Sequence, residues 1–196
     1  MDKRYYYNRL TKELNENFKE YTALKAEYDQ LTADRKSGKY SDNYLKEKVY
    51  PRQFELKRQM ERVQDKAYSD VNTLTEEMRS YLRGLDALNP EELTDDTKLL
   101  NSGIKLTKND IQSILDRNSG NRTMTQLALR YAKENSIEGL EHTYYVSAES
   151  KMESFDNIKG ATKVVIRNFD SVDGYNRIYV KILGEGTDIY NFAFSD

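Results

Sequence analysis

The chain has 196 residues, of which 37% are hydrophobic and 33% charged, with a net charge of −2 and no cysteine. That length holds one or two domains, and so polar a balance argues for long helices that each bury a narrow stripe rather than one large globule. Without Cys there are no disulfides, no thiol catalysis and no Cys-ligated zinc, and a charge this close to zero supplies no global attraction to nucleic acid or anionic membrane.

Residues 1–84 carry 18 Lys plus Arg against 15 Asp plus Glu, and the remainder 13 against 18, a modest asymmetry that reads as solubility. No apolar run approaches the roughly 20 residues of a membrane span. Met1-Asp2-Lys3-Arg4-Tyr5 lacks the apolar core of a signal peptide. The expected location is the cytosol, or the interior of something assembled there.

The first pattern is a heptad. Tyr7, Leu10, Leu14, Asn17, Tyr21, Leu24, Tyr28 and Leu31 alternate by threes and fours, with a charged face between them. Residues 1–37 contain neither Gly nor Pro, so one helix is predicted from about Lys3 to Arg35. Asn17, the polar member of the stripe, reads as a register device. Gly38 suits a helix C-cap and Ser41 or Asp42 a new N-cap, which places a turn over 36–43.

A second helix is predicted from about Asn43 to Leu85. Its stripe runs Leu45, Val49, Leu56, Met60, Val63, Ala67, Val71, Leu74, Met78, Tyr81 and Leu85, with a kink or restart at Pro51. Folding about Gly38 sets residue i opposite roughly 76 minus i, so that Leu31 meets Leu45, Tyr21 meets Leu56, Leu14 meets Val63 and Tyr7 meets Val71. The expectation is a mainly α protein with a long antiparallel coiled-coil hairpin over residues 1–85. The same heptads also fit an intermolecular coil.

Gly84 and Asn89-Pro90 mark a boundary. A small helical subdomain follows at 90–136: a brief helix through Leu99 and Leu100, one from Lys108 to Arg117 capped by Thr107, and one opened by Thr123 and running to Asn135. Residues 143–196 are predicted to hold an extended piece at Thr143–Val146, a helix capped by Ser147, and a β-hairpin. In that helix Met152, Phe155, Ile158, Thr162, Val165, Ile166 and Phe169 share a face. The β-hairpin joins the β-rich runs 177–183 and 189–194 through Gly184-Glu185-Gly186. This end reads as a possible partner-binding region.

Catalysis has little to work with. His142 is the single histidine, which rules out a His-rich metal site; beside Glu141 it could still act as an acid–base group, against the plainer reading of a surface histidine near a loop. Acidic neighbours such as Glu91-Glu92 do not face one another on a helix. The chain is read as no enzyme, with no cofactor. The segment 107–135 loosely resembles a helix-turn-helix, and Lys105, Lys108, Arg117, Arg122, Arg130 and Lys133 supply cations for a nucleic-acid alternative, against interleaved Asp110, Asp116 and Glu134. Sixteen Tyr with no Trp fit either the packing of a thin core or use at a protein interface.

Taken with the charged coil before it, the run Asp96-Thr97-Lys98-Leu99-Leu100-Asn101-Ser102-Gly103, then Leu106–Asp110, Asn121–Met124 and Arg130–Asn135, resembles uncharacterised phage and prophage proteins of Gram-positive bacteria encoded near the major capsid protein. The resemblance covers roughly residues 1–140 and is most specific over 96–135. It implies a scaffolding or minor head protein whose partner is the phage capsid protein or a second copy, located in the host cytoplasm, the procapsid or the virion. A DNA-binding regulator and a phage-encoded inhibitor of a host defence protein are the alternatives.

Overall fold

The computed structural model describes residues 3–85, 87–142 and 148–194. Helix α1 spans Lys3–Lys36. It ends as its capping chemistry dictates: Gly38 takes φ 72°, and the Asp34 carboxylate accepts from Lys39 Nζ at 2.8 Å and Tyr40 Oη at 2.9 Å. Ser41 caps the short α2 (Asp42–Tyr44), which passes into a π-helical turn over Leu45–Val49 and then α3, Tyr50–Leu85. The break expected at Pro51 is therefore a π turn just ahead of it: proline lacks the N–H that would continue the ladder, and α3 starts at the preceding residue.

Among the described residues, side-chain bonds join α1 to α3 at six residue pairs, whose partners on α3 fall in number overall as those on α1 rise. Tyr6 Oη meets Thr75 Oγ1 at 3.2 Å and Arg9 meets Glu77 at 2.5 Å. Lys66 donates to Asn17 at 2.8 Å, and Asn17 donates to Asp70 at 3.0 Å. Arg52 meets Glu27 at 2.7 Å and Gln53 donates to Thr32 at 2.8 Å. The paired residue numbers sum to between 79 and 87, whereas folding about Gly38 requires 76. The register is displaced by about seven residues, and the helical path resumes at Asp42 after a reversal over 37–41. A displacement of one heptad leaves apolar positions facing apolar positions, so periodicity alone could not tell the two registers apart.

The β-hairpin expected near the C-terminus is not formed. Helix α8 occupies Val172–Leu183 and α9 Asp188–Phe194. Ser171 caps α8, accepting from Gly174 N at 3.0 Å, and Thr187 accepts from Tyr190 N at 3.2 Å. Period decides against β-propensity here. Tyr175, Tyr179 and Leu183 recur by fours and turn inward, while Val180, which a strand would need on an alternating face, is 63% exposed. The preceding helix α7 spans Ala148–Ile166 and buries Phe155, Ile158, Thr162, Val165 and Ile166. The extended piece at 143–146 and the Ser147 cap lie outside the described residues.

The chain divides into two compact units, Met1–Ser80 with Glu153–Asp196, and Tyr81–Met152. In the first, C-terminal helices clothe a face of α1. Tyr6 packs edge-on to Phe155 at 4.6 Å, Phe18 stacks on Tyr175 at 3.5 Å, and Tyr7 meets Phe194 edge-on at 5.4 Å. Tyr7 Oη also donates to the Leu183 carbonyl. The covered arc of α1 is thus wider than the heptad stripe, taking in the buried Tyr6 and the half-buried Phe18.

The second unit is built on α4 (Asp96–Leu100), α5 (Lys108–Arg117) and α6 (Arg122–Glu134), preceded by a 3-10 turn at Pro90–Glu92. Its core joins Leu106, Ile111, Ile114, Leu115, Met124, Ala128 and Ala132. Thr107 and Asp110 form a reciprocal capping box at the start of α5. The cap of α6 is Asn121 rather than Thr123. Asn121 Oδ1 accepts from Met124 N at 2.9 Å, while Thr123 is buried and accepts from Asn89 N at 3.0 Å. Two residues earlier, asparagine supplies the better oxygen for the exposed N–H groups.

Candidate interaction surfaces

The residues expected to form the seam separate by depth. Tyr7, Leu10, Leu14 and Tyr21 on α1 are buried, as are Leu56, Val63 and Val71 on α3; Leu24, Tyr28, Leu31 and Leu45 are half-buried. Closure is tightest toward the start of α1 and loosens toward its end. Tyr6 and Thr75 are buried as well and were not anticipated, since neither falls on the heptad stripe. Their signal was the tyrosine cluster Tyr5-Tyr6-Tyr7, too many rings for one stripe to absorb.

Burial disfavours the charged phenolate and raises the pKa of these rings: Tyr7 is pushed up to about 12, and Tyr6, Tyr21 and Tyr175 rise for the same reason. Each keeps its proton and serves as a packed ring with a hydrogen-bonding tip. Tyr175 Oη donates to Asn15 Oδ1 at 2.9 Å, and Asn15 Nδ2 donates to Tyr179 Oη at 3.3 Å.

The cations weighed for nucleic acid are dispersed. Lys108 and Arg117 lie nine residues apart on α5, about 180° around the helix. Arg117 is held by Asp96 at 2.7 Å. Arg122, Arg130 and Lys133 share a broad face of α6, with Arg122 half-buried and Lys105 exposed in the loop before α5. His142 is exposed at the end of the described loop. Among the described residues, no cluster of three or more His, Asp or Glu is placed to hold a metal ion, and no helix is long and apolar enough to cross a membrane.

The most distinctive surface surrounds the connection between α1 and α3. Tyr44, Tyr50 and Phe54 are 47%, 44% and 66% exposed. Tyr40 and Tyr44 stack at 4.8 Å, the Arg35 guanidinium lies 6.0 Å from the Tyr50 ring, and that of Arg58 lies 6.0 Å from Phe54. Lys46, Tyr50, Phe54 and Arg58 recur by fours and form one exposed stripe that starts in the π turn. Exposed rings framed by cations are the composition of a protein contact.

No family model matches the chain, and no curated protein or solved structure is significantly similar to it.

Proposed function

We propose that the chain is a non-enzymatic structural or assembly protein of the phage scaffolding or minor capsid-associated type, acting through protein–protein contacts in the host cytoplasm and within the procapsid or virion. In this reading α1 and α3 form an antiparallel coiled-coil hairpin that acts as a spacer roughly 50 Å long, at 1.5 Å per residue.

The observation that carries it is the broad cladding of α1. The helix is joined to α3 by the Arg9–Glu77, Asn17–Asp70 and Arg52–Glu27 bonds, and is covered by rings of the C-terminal helices. A helix held over a wide arc resists bending, which suits a part that sets distances between capsid subunits, while weak contacts repeated over many copies supply the adhesion. The resemblance at 96–135 directs the partner toward a capsid protein. A nucleic-acid role has less support, because the α5 cations point to opposite sides and Arg117 is already paired.

Co-expression with the major capsid protein that the resemblance implies as its partner tests this. Closed shells of uniform size should form with the intact chain, and aberrant or open shells with Leu14→Asp, which opens the hairpin. Shells that are identical with and without the chain would remove the proposal.

A further inference from the structure

We infer that copies of this chain associate head to tail, the exposed aromatic stripe at the start of α3 in one copy seating on the acidic, leucine-bearing stretch 87–100 of the next. The inference rests on the assembly reading and names one of its contacts.

The first surface is basic and apolar together. Residues 35–58 carry eight Lys or Arg against three Asp or Glu, whereas the whole chain is at −2. Phe54 and Tyr50 stand exposed within that field, flanked by Lys46 and Arg58. The second surface has the opposite charge and the same apolar character. Residues 87–100 carry Glu91, Glu92, Asp95 and Asp96 against Lys98, and Leu88, Leu93 and Leu99 are 40%, 45% and 44% exposed. Glu92 and Asp96 are engaged within their own unit, by Thr123 N and by Arg117 and Asn118. Glu91 is exposed, and Asp95, whose side chain is 92% exposed, pairs with the similarly exposed Lys98 at 2.6 Å, a surface pair that an incoming cation can exchange with at little cost.

Along the sequence the two stretches are separated by residues 59–86, so they do not overlap. Each copy therefore offers one surface of each kind. Joining unlike surfaces gives a heterologous contact, which propagates into rings or filaments instead of stopping at a two-fold dimer. A second copy is favoured over nucleic acid because the exposed Leu88, Leu93 and Leu99 beside the carboxylates give Tyr50 and Phe54 apolar surface to bury, which a phosphate backbone does not.

Sedimentation of the full chain tests the contact. The wild type should gain mass beyond a dimer as concentration rises at low salt, and return toward monomer at high salt, where the Debye length falls to about 3 Å at 1 M. Phe54→Asp alone, and Glu91→Lys with Asp95→Lys, should each sediment as monomers with wild-type helicity. An equimolar mixture of the two should form a one-to-one dimer and nothing larger, since the first variant keeps an intact acidic stretch and the second an intact aromatic stripe. A wild type that stays monomeric, variants that still self-associate, or a mixture that stays monomeric would each overturn the inference. Presence of the chain in phage particles would then leave the assembly reading standing, and absence from particles would remove that reading while leaving head-to-tail association intact.

Discussion

Asn17 donates its Nδ2 proton to the Asp70 carboxylate at 3.0 Å from a position 1% exposed, and its Oδ1 accepts from Lys66. One carboxamide thereby ties α1 to two residues a turn apart on α3. Such a group fixes which heptad faces which at some cost in stability. Asn17→Leu should raise stability by about 1 kcal/mol and relax the register. Spin labels replacing the exposed Glu20 and Glu61 should report one distance in the parent and an added population, displaced by about 10 Å, in the variant. A less stable variant with one distance would contradict this role.

The graded burial of the heptad stripe sets a gradient of mutational cost. Leu14 and Leu56 are fully buried, and Leu14→Asp or Leu56→Asp places an unpaired charge there, costing about 3 kcal/mol or more. Leu31 is half-buried, and Leu31→Asp should cost less than half as much. Urea denaturation of the three variants measures it; equal losses at Leu14 and Leu31 would show that the seam does not loosen along α1.

The buried tyrosines set an alkaline limit. An unfolded tyrosine ionises near 10.0, while Tyr7 in the fold is pushed up to about 12 and Tyr6, Tyr21 and Tyr175 are also raised. A raised acid contributes its full stability below the unfolded value and loses it as pH climbs through the folded one. Melting temperature should hold up to pH 10 and fall between pH 10 and pH 12, with the fall shallower in Tyr7→Phe. That variant should also lose about 1 kcal/mol at neutral pH with its bond to the Leu183 carbonyl. The check is a series of thermal melts with tyrosinate absorbance followed in parallel.

An acid limit comes from Asp96. Arg117 and then Asn118 hold its carboxyl below the ordinary value of 3.8. A depressed acid contributes stability above the unfolded value and loses it as pH falls through the folded one. Asp96→Asn should weaken the Tyr81–Met152 unit by about 1 kcal/mol at neutral pH, and the difference should vanish in strong acid. Hydrogen exchange at Leu115 and Met124, core residues of that unit, reads the loss locally.

Helix existence was legible wherever caps and period agreed, as at Thr107 for α5 and over the long run of α1. Register was not, because a heptad repeat defines pairing only to within seven residues and the π turn at Leu45–Val49 leaves no mark in the sequence beyond Pro51. The C-terminal helices read as strands in the sequence because Ile178, Val180, Ile182 and their aromatic neighbours have high β-propensity, which masks the recurrence of Tyr175, Tyr179 and Leu183 by fours. Of the exposed stripe, Tyr50 stands out in the sequence as a tyrosine off both predicted heptad stripes, whereas Phe54 carries no comparable signal. Which rings stay outside depends on Phe155, Phe169 and Tyr175 arriving from more than a hundred residues away to cover Tyr6, Phe18 and Tyr21.

The proposed phage assembly role is tested most directly by looking for the chain, by protein identification, in purified procapsids and mature virions. The account predicts many copies in procapsids, either lost on maturation, as for a scaffold, or retained, as for a minor head protein. Absence from both particles would contradict it.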